Sequence, residues 1–301
     1  MSVQVSERPT SPPREKFEVK KTDWKTVLWA VWANFKSALI GWTFFLASFV
    51  LSISGMIVNI CIFYFLATFT GSAMAPYLAK YGGNYAAYIV LGIAFNSYLG
   101  ASLNSFYNSY CNGYWTCSFE LYATSPVGIK AYMAGSILFD YFISTISVLL
   151  YIVFGVTVFN IGIGSGADFG VTVLTILLGM VAVGGIGLVA ASTFTLLNSK
   201  QWSNPVTWFV NFLTGLVSGV YFPLEVLPEW CRTIGYLLPQ TYANDAARMA
   251  LLSGASIMNP LIIGDLSRLI ISAIITVPIG IFLFKRSLRK AEKDGTLSRW
   301  S

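Results

Sequence analysis

The sequence predicts an all-α polytopic membrane protein with six transmembrane helices, an N-terminal interfacial amphipathic helix and an outer re-entrant helical hairpin between helices 5 and 6. Of its 301 residues 55% are hydrophobic and 11% charged, against roughly a quarter charged in an ordinary soluble domain. Those apolar residues gather in nearly uncharged blocks of about 20 or more, the length that carries a helix across ~30 Å of hydrocarbon. Lys and Arg concentrate towards the two ends of the chain, as expected when both termini stay on the cytoplasmic side.

Residues 1–22 are polar, carry Pro9, Pro12 and Pro13, and lack periodicity, so a disordered cytoplasmic tail is expected. Over 23–37 the pattern changes: Trp24, Val27, Leu28, Val31, Trp32 and Phe35 recur at helical spacing while Lys25 and Lys36 sit off the stripe. That is the signature of a helix lying in the membrane interface, although the same residues could simply begin the first crossing. The transmembrane domain spans 38–284, with apolar blocks at Leu39–Phe69, Tyr85–Tyr110, Ala131–Phe159, Phe169–Leu197, Val206–Phe222 and Leu261–Phe284; residues 285–301 form a basic cytoplasmic tail. The first block far exceeds the roughly 7–15 residues of a signal-peptide h-region, so it is expected to remain as an anchor.

Fifteen of the nineteen Lys and Arg fall on the side assigned to the cytoplasm, including Lys130 and Lys200 in the second and fourth connections; Lys80, Arg232, Arg248 and Arg268 are the rest. The net charge of +6 therefore reports topology and contact with anionic lipid, with no nucleic-acid partner required. Cys61, Cys111, Cys117 and Cys231 show no C-x-x-C spacing, and the chain has no histidine. Ser-His-Asp and Cys-His catalysis and His-ligated metals are thereby removed, so neither catalytic nor metal-binding residues are assigned. No Asn-x-Ser/Thr sequon occurs, which fits a prokaryotic plasma (inner) membrane.

Three stretches resemble the type-2 ABC transporter permeases, the membrane subunits of drug, lipid and polysaccharide exporters. Glu120-Leu121-Tyr122-Ala123-Thr124-Ser125-Pro126 is similar to the family's E-L-L-x-A-T-P segment in the second cytoplasmic connection. Ser218-Gly219-Val220-Tyr221-Phe222-Pro223-Leu224-Glu225-Val226-Leu227-Pro228 resembles the run that ends the fifth crossing. Leu237-Leu238-Pro239-Gln240-Thr241-Tyr242-Ala243, with Asp245 and Arg248, resembles an element of the outer hairpin. The likeness implies a half-transporter that pairs with a second permease, as homo- or heterodimer, and recruits cytoplasmic ABC ATPase subunits. The chain holds no G-x-x-x-x-G-K-[ST] motif, so ATP and Mg are expected on a separate partner polypeptide, leaving no cofactor here.

On this reading Glu120, Leu121, Tyr122, Thr124, Ser125 and Pro126 form the loop that meets the ATPase. Ser97, Tyr98, Ser102, Asn104, Ser105 and Asn108, followed by Ser109, recur at three- and four-residue steps along the second crossing. Such a stripe either lines the transport path or bonds neighbouring helices. Tyr221, Phe222, Pro223, Trp230 and Tyr242 are candidates for an outer gate, with the alternative that aromatic residues are ordinary at that depth. Gly215 and Gly219 make a G-x-x-x-G pair, and Gly184, Gly187 and Ala191 a second small-residue face, both expected to pack helices. Asp140 is expected near the cytoplasmic end of the third crossing. The expected activity is export of a hydrophobic or amphipathic, drug- or lipid-like substrate; the alternatives are a lipid-linked polysaccharide cargo, or an ATP-independent channel or scramblase.

Overall fold

The computed structural model describes residues 23–44, 46–158, 166–197 and 204–294, without the side chains of Phe44, Leu46, Ser48, Phe49, Glu120 and Ala123. The predicted 1–22 tail, the connection holding Lys200 and the end of the basic tail lie outside the described residues. In chain order the helices are α1 (Trp24–Phe44), α2 (Leu46–Met74), α3 (Tyr85–Trp115), α4 (Ser118–Thr124), α5 (Gly128–Thr157) and α6 (Phe169–Leu196). They continue with α7 (Pro205–Val217), α8 (Glu229–Gly235), α9 (Pro239–Leu252) and α10 (Pro260–Lys293); a 3-10 segment, Ala75–Tyr81, follows α2. Among the described residues no strand forms.

Polar residues set several helix starts. Asn84, Asp168, Asn204 and Asn259 each accept a backbone N–H of the first turn through the side-chain oxygen, at 2.7–3.1 Å. Pro205 and Pro260 follow two of these caps at the first helical position, where a missing N–H costs nothing.

Among the described residues, five helical stretches are long and apolar enough to cross a membrane: Val50–Tyr81, Tyr85–Trp115, Gly128–Thr157, Phe169–Leu196 and Pro260–Lys293. The fifth predicted crossing differs. Its helix, α7, has 13 residues, about 20 Å at 1.5 Å per residue, which falls short of the hydrocarbon thickness. Ser218–Pro223 continue it as irregular backbone beyond the helix end. Gly219 is there in the left-handed region (φ 76°), so Gly215 and Gly219 share no helix face: α7 stops at Val217. The expected G-x-x-x-G packing pair does not form, because its second glycine makes a turn.

The first crossing also begins later than its apolar block. Residues 39–44 complete α1, and α2 runs to Met74. Both stretches are apolar and helical, so composition alone does not mark the boundary between them. Asp140 lies 12 residues into α5, about 18 Å along the helix, so it sits near mid-span rather than near one end.

α3 and α6 form the centre of the bundle. A Cβ at Gly187 would come within 2.6 Å of the Ser102 carbonyl, and one at Gly280 within 2.5 Å of the Gly185 carbonyl. Small residues thus let α3, α6 and α10 approach backbone to backbone. Thr276 on α10 donates to the Ala182 carbonyl at 2.8 Å across that contact.

Between α7 and α10 the chain builds the re-entrant hairpin. α8 leads back to the depth of the α7 terminus, where a Cβ on Gly235 would lie 2.3 Å from the Val217 carbonyl. α9 then climbs outward. Near its start Tyr242 and Ala243 pack with Leu99, Val183 and Leu269; Leu269 is nine residues into α10, about 14 Å from its beginning. At its other end the Ala250 carbonyl accepts the backbone N–H of Asp168 at 3.0 Å, beside the start of α6. Every residue from Pro239 to Leu251 except Asp245 is buried.

Candidate functional site

Three sets of residues could carry function, and the hairpin end holds the most tightly connected one. Arg248, on α9, is 1% exposed. Its Nη1 donates to the Gly219 carbonyl and its Nη2 to the Val220 carbonyl, both at 2.7 Å. The guanidinium stacks over the Tyr88 ring at 3.7 Å from the centroid, and Tyr88 in turn donates to the Gly219 carbonyl at 2.6 Å. Tyr85 donates to the Tyr221 carbonyl at 3.1 Å. These bonds explain the short α7. Irregular backbone at membrane depth needs protein partners for its carbonyls, and one arginine with two tyrosines supplies them. Gly92 makes room: a Cβ there would stand 1.6 Å from Arg248 Nη2.

One turn before Arg248 on α9, Asp245 accepts the Tyr81 hydroxyl and pairs with Lys80 at 3.2 Å; Lys80 also reaches Glu225 at 3.1 Å. Arg268 pairs with Asp265 at 3.4 Å and lies over the Tyr242 ring at 5.2 Å. Lys80, Glu225, Asp245, Tyr242, Asp265 and Arg268 together border a cavity of about 210 Å³ between the hairpin, the 3-10 segment and α10. Sequence reasoning noted Asp245 and Arg248 as motif positions and Lys80 only as a stray charge, and it missed Asp265. The apolar block Leu261–Phe284 itself contains Asp265 and Arg268, an i, i+3 charge pair that could have flagged the site.

The predicted gate residues do not converge. Tyr221 stacks on Phe63 of α2 at 4.3 Å, with Phe222 packed against the same core. Tyr242 lies on the other side, bonded to the Tyr236 carbonyl at 2.6 Å, while Trp230 is 63% exposed on α8 and Pro223 is buried.

The α3 stripe divides between two faces. Tyr98 donates to Thr145 at 3.1 Å, and Ser102 accepts from Tyr141 at 3.2 Å, both on α5. Ser105 continues this buried face, with Ser109 beyond it. Asn104 accepts from Asn211 of α7 at 3.2 Å, Asn108 is exposed, and Ser97 turns back onto its own helix through the Ile93 carbonyl at 3.1 Å.

At the opposite end of the bundle the α4 segment is held firmly. Cys117 enters it in the left-handed region (φ 56°). Phe119 is fully buried against Gly113, Tyr110 and Tyr132. Tyr122 donates to Asn34 of α1 at 2.6 Å, and Ser125 closes the turn on the Tyr122 carbonyl at 3.0 Å. Leu121 is 70% exposed, and Thr124 and Pro126 lie on the surface beside it. The side chain of Glu120 lies outside the described residues.

A search of curated proteins returns no match. The sequence model of one family, described as ABC-2 family transporter protein, matches residues 79–282. Its span takes in α3, the α4 segment, the α7 turn, the hairpin and most of α10, and covers more than half of the chain, which therefore belongs to the ABC-2 family of transporter proteins.

Proposed function

We propose that this permease is the membrane half of an ATP-driven exporter. It moves a hydrophobic or amphipathic substrate out of the cytoplasm with a separate ABC ATPase. The observation that carries this reading is the α4 segment: a short helix locked by Phe119 and Tyr122, with Leu121, Thr124 and Pro126 turned outward at the end of the bundle where α1 lies. A rigid mount with an exposed face is what transmission of force from a cytoplasmic partner requires. A second permease would cover α7, whose exposed Trp208 and Phe212 stack at 5.7 Å beside the Asn104–Asn211 bond.

Reconstitution with the ATPase partner tests the reading. Glu120→Lys, in the segment expected to meet the ATPase, is expected to reach the membrane in normal amount. Export and substrate-stimulated ATP hydrolysis should both collapse. Normal export by this variant would remove Glu120 from the contact, and lipid or solute movement without ATP would favour the channel or scramblase.

Orientation has its own check. In a cysteine-free background, a membrane-impermeant thiol reagent added to intact cells should label a cysteine at Ser256 and leave one at Ser298 untouched. Labelling of Ser298 would reverse the assignment of the hairpin to the outer side.

A further inference from the structure

We propose that a cavity at the junction of α1, α3, α4 and α5 binds the neutral, polyhydroxylated headgroup of a membrane lipid. As a statement about cargo this rests on the exporter reading; the binding itself does not.

The cavity measures about 300 Å³, at the small end of the range that ligand sites occupy. Asn34 and Ser37 of α1, Asn112 of α3 and Thr116 just past its end, Tyr122 of α4 and Ser136 of α5 line it. No Lys, Arg, Asp or Glu among the described residues does. Its hydroxyls and amides already form a bonded wall: Tyr122 donates to Asn34, Asn34 to the Ala30 carbonyl at 2.8 Å, and Thr116 to the Asn112 carbonyl at 2.7 Å. Such groups both donate and accept, as sugar or glycerol hydroxyls do. A phosphate or carboxylate would call for a cation; for an ammonium the lining offers two adjacent rings, Tyr122 and Tyr132 at 5.1 Å, but no enclosing cage and no carboxylate among the described residues. The acid closest along α5 to Ser136 is Asp140, one turn further in. A purely apolar ligand would leave the remaining donor and acceptor capacity of this wall, such as the second amide hydrogen of Asn34, unmet.

Two observations make the ligand a lipid. On α1, Trp24, Trp29 and Trp32 are 65%, 72% and 54% exposed, which seats this end at the membrane interface, where lipid headgroups lie. The polar lining also continues inward. Ser109 and Ser105 follow Asn112 on the same face of α3 by their spacing. They are 1% and 0% exposed, and neither hydroxyl has a hydrogen-bond partner. Buried hydroxyls are rarely left so. A hydroxylated headgroup in the cavity would meet Asn112, one turn from Ser109.

The test measures binding without ATP or any partner, so its failure leaves the exporter reading standing. Full-length protein in amphipol, which carries no sugar, is titrated with tritiated monoglucosyl diacylglycerol in a scintillation proximity assay. Saturable binding is expected, displaced by the unlabelled glycolipid and untouched by phosphatidylethanolamine or phosphatidylglycerol. Tyr122→Phe removes one neutral hydrogen bond and should weaken binding about fivefold. Ser136→Leu fills the space and should reduce binding to background; if that variant melts early, Ser37→Leu serves instead. Equal displacement by phosphatidylethanolamine, or unchanged binding by Tyr122→Phe together with a stable cavity-filling variant, would overturn the site. Displacement by methyl glucoside as readily as by the glycolipid would overturn the lipid source in favour of a free sugar.

Discussion

Arg248→Met is expected to abolish accumulation of folded protein. The guanidinium makes two charge-assisted hydrogen bonds, to the Gly219 and Val220 carbonyls, each contributing about 1.5–3 kcal/mol, so their joint loss costs roughly 3–6 kcal/mol. Methionine matches much of the volume and none of the donors. The two carbonyls then sit in a segment with no helix of its own, at a depth where water is scarce. Arg248→Lys should recover only part of the loss, because an ammonium lacks the planar fork that spans both oxygens. Thermal unfolding of purified protein, with monodispersity on gel filtration, provides the readout. A melting temperature within a degree or two of the parent's would show that the α7 turn is held by something else.

Gly92→Ala attacks the same contact from α3, where the added Cβ would overlap Arg248 Nη2 and lie 2.6 Å from the Val220 carbonyl. Both changes disrupt one interaction. The double variant should therefore be less damaging than the sum of the singles, the coupling expected of groups in direct contact.

The Arg248 contact also marks the boundary between what the amino-acid sequence discloses and what it hides. Apolar blocks announce the long crossings, since lipid demands length and low charge regardless of neighbours. Asn204-Pro205 and Asn259-Pro260 are start signals readable without a fold. Lys80 and Asp245, by contrast, meet across 165 positions, and periodicity within one element says nothing of which elements pair. The stripe on α3 shows the same limit. Its spacing establishes that polar residues recur along a helix, but only the placement of α5 and α7 divides Tyr98 and Ser102 from Asn104. The short α7 was hidden too, because Ser218–Phe222 are as compatible with a helix end as with the turn that Gly219 makes.

Phe119→Ala should separate the mounting of α4 from its contact surface. Phe119 is fully buried and wedged where a Cβ on Gly113 would be 2.3 Å from its ring, so truncation is expected to cost about 3–5 kcal/mol. α4 belongs to one corner of the bundle, linked to α1 by the Tyr122–Asn34 bond and to α3 and α5 by the Tyr110 and Tyr132 rings. Loss of Phe119 should loosen that corner first, seen as faster backbone hydrogen exchange in residues 118–124 than in α6. Leu121→Ala, on the exposed face, should leave both exchange and melting unchanged within about 0.5 kcal/mol. Coupling distinguishes the two sides of the helix from an ordinary loop. If α4 transmits the ATPase stroke, both variants lose substrate-stimulated hydrolysis, one because the lever is loose and the other because its surface is gone. Full stimulation in Leu121→Ala, with loss in Phe119→Ala no greater than its loss of folded protein, would reduce α4 to a structural plug and move the ATPase contact elsewhere.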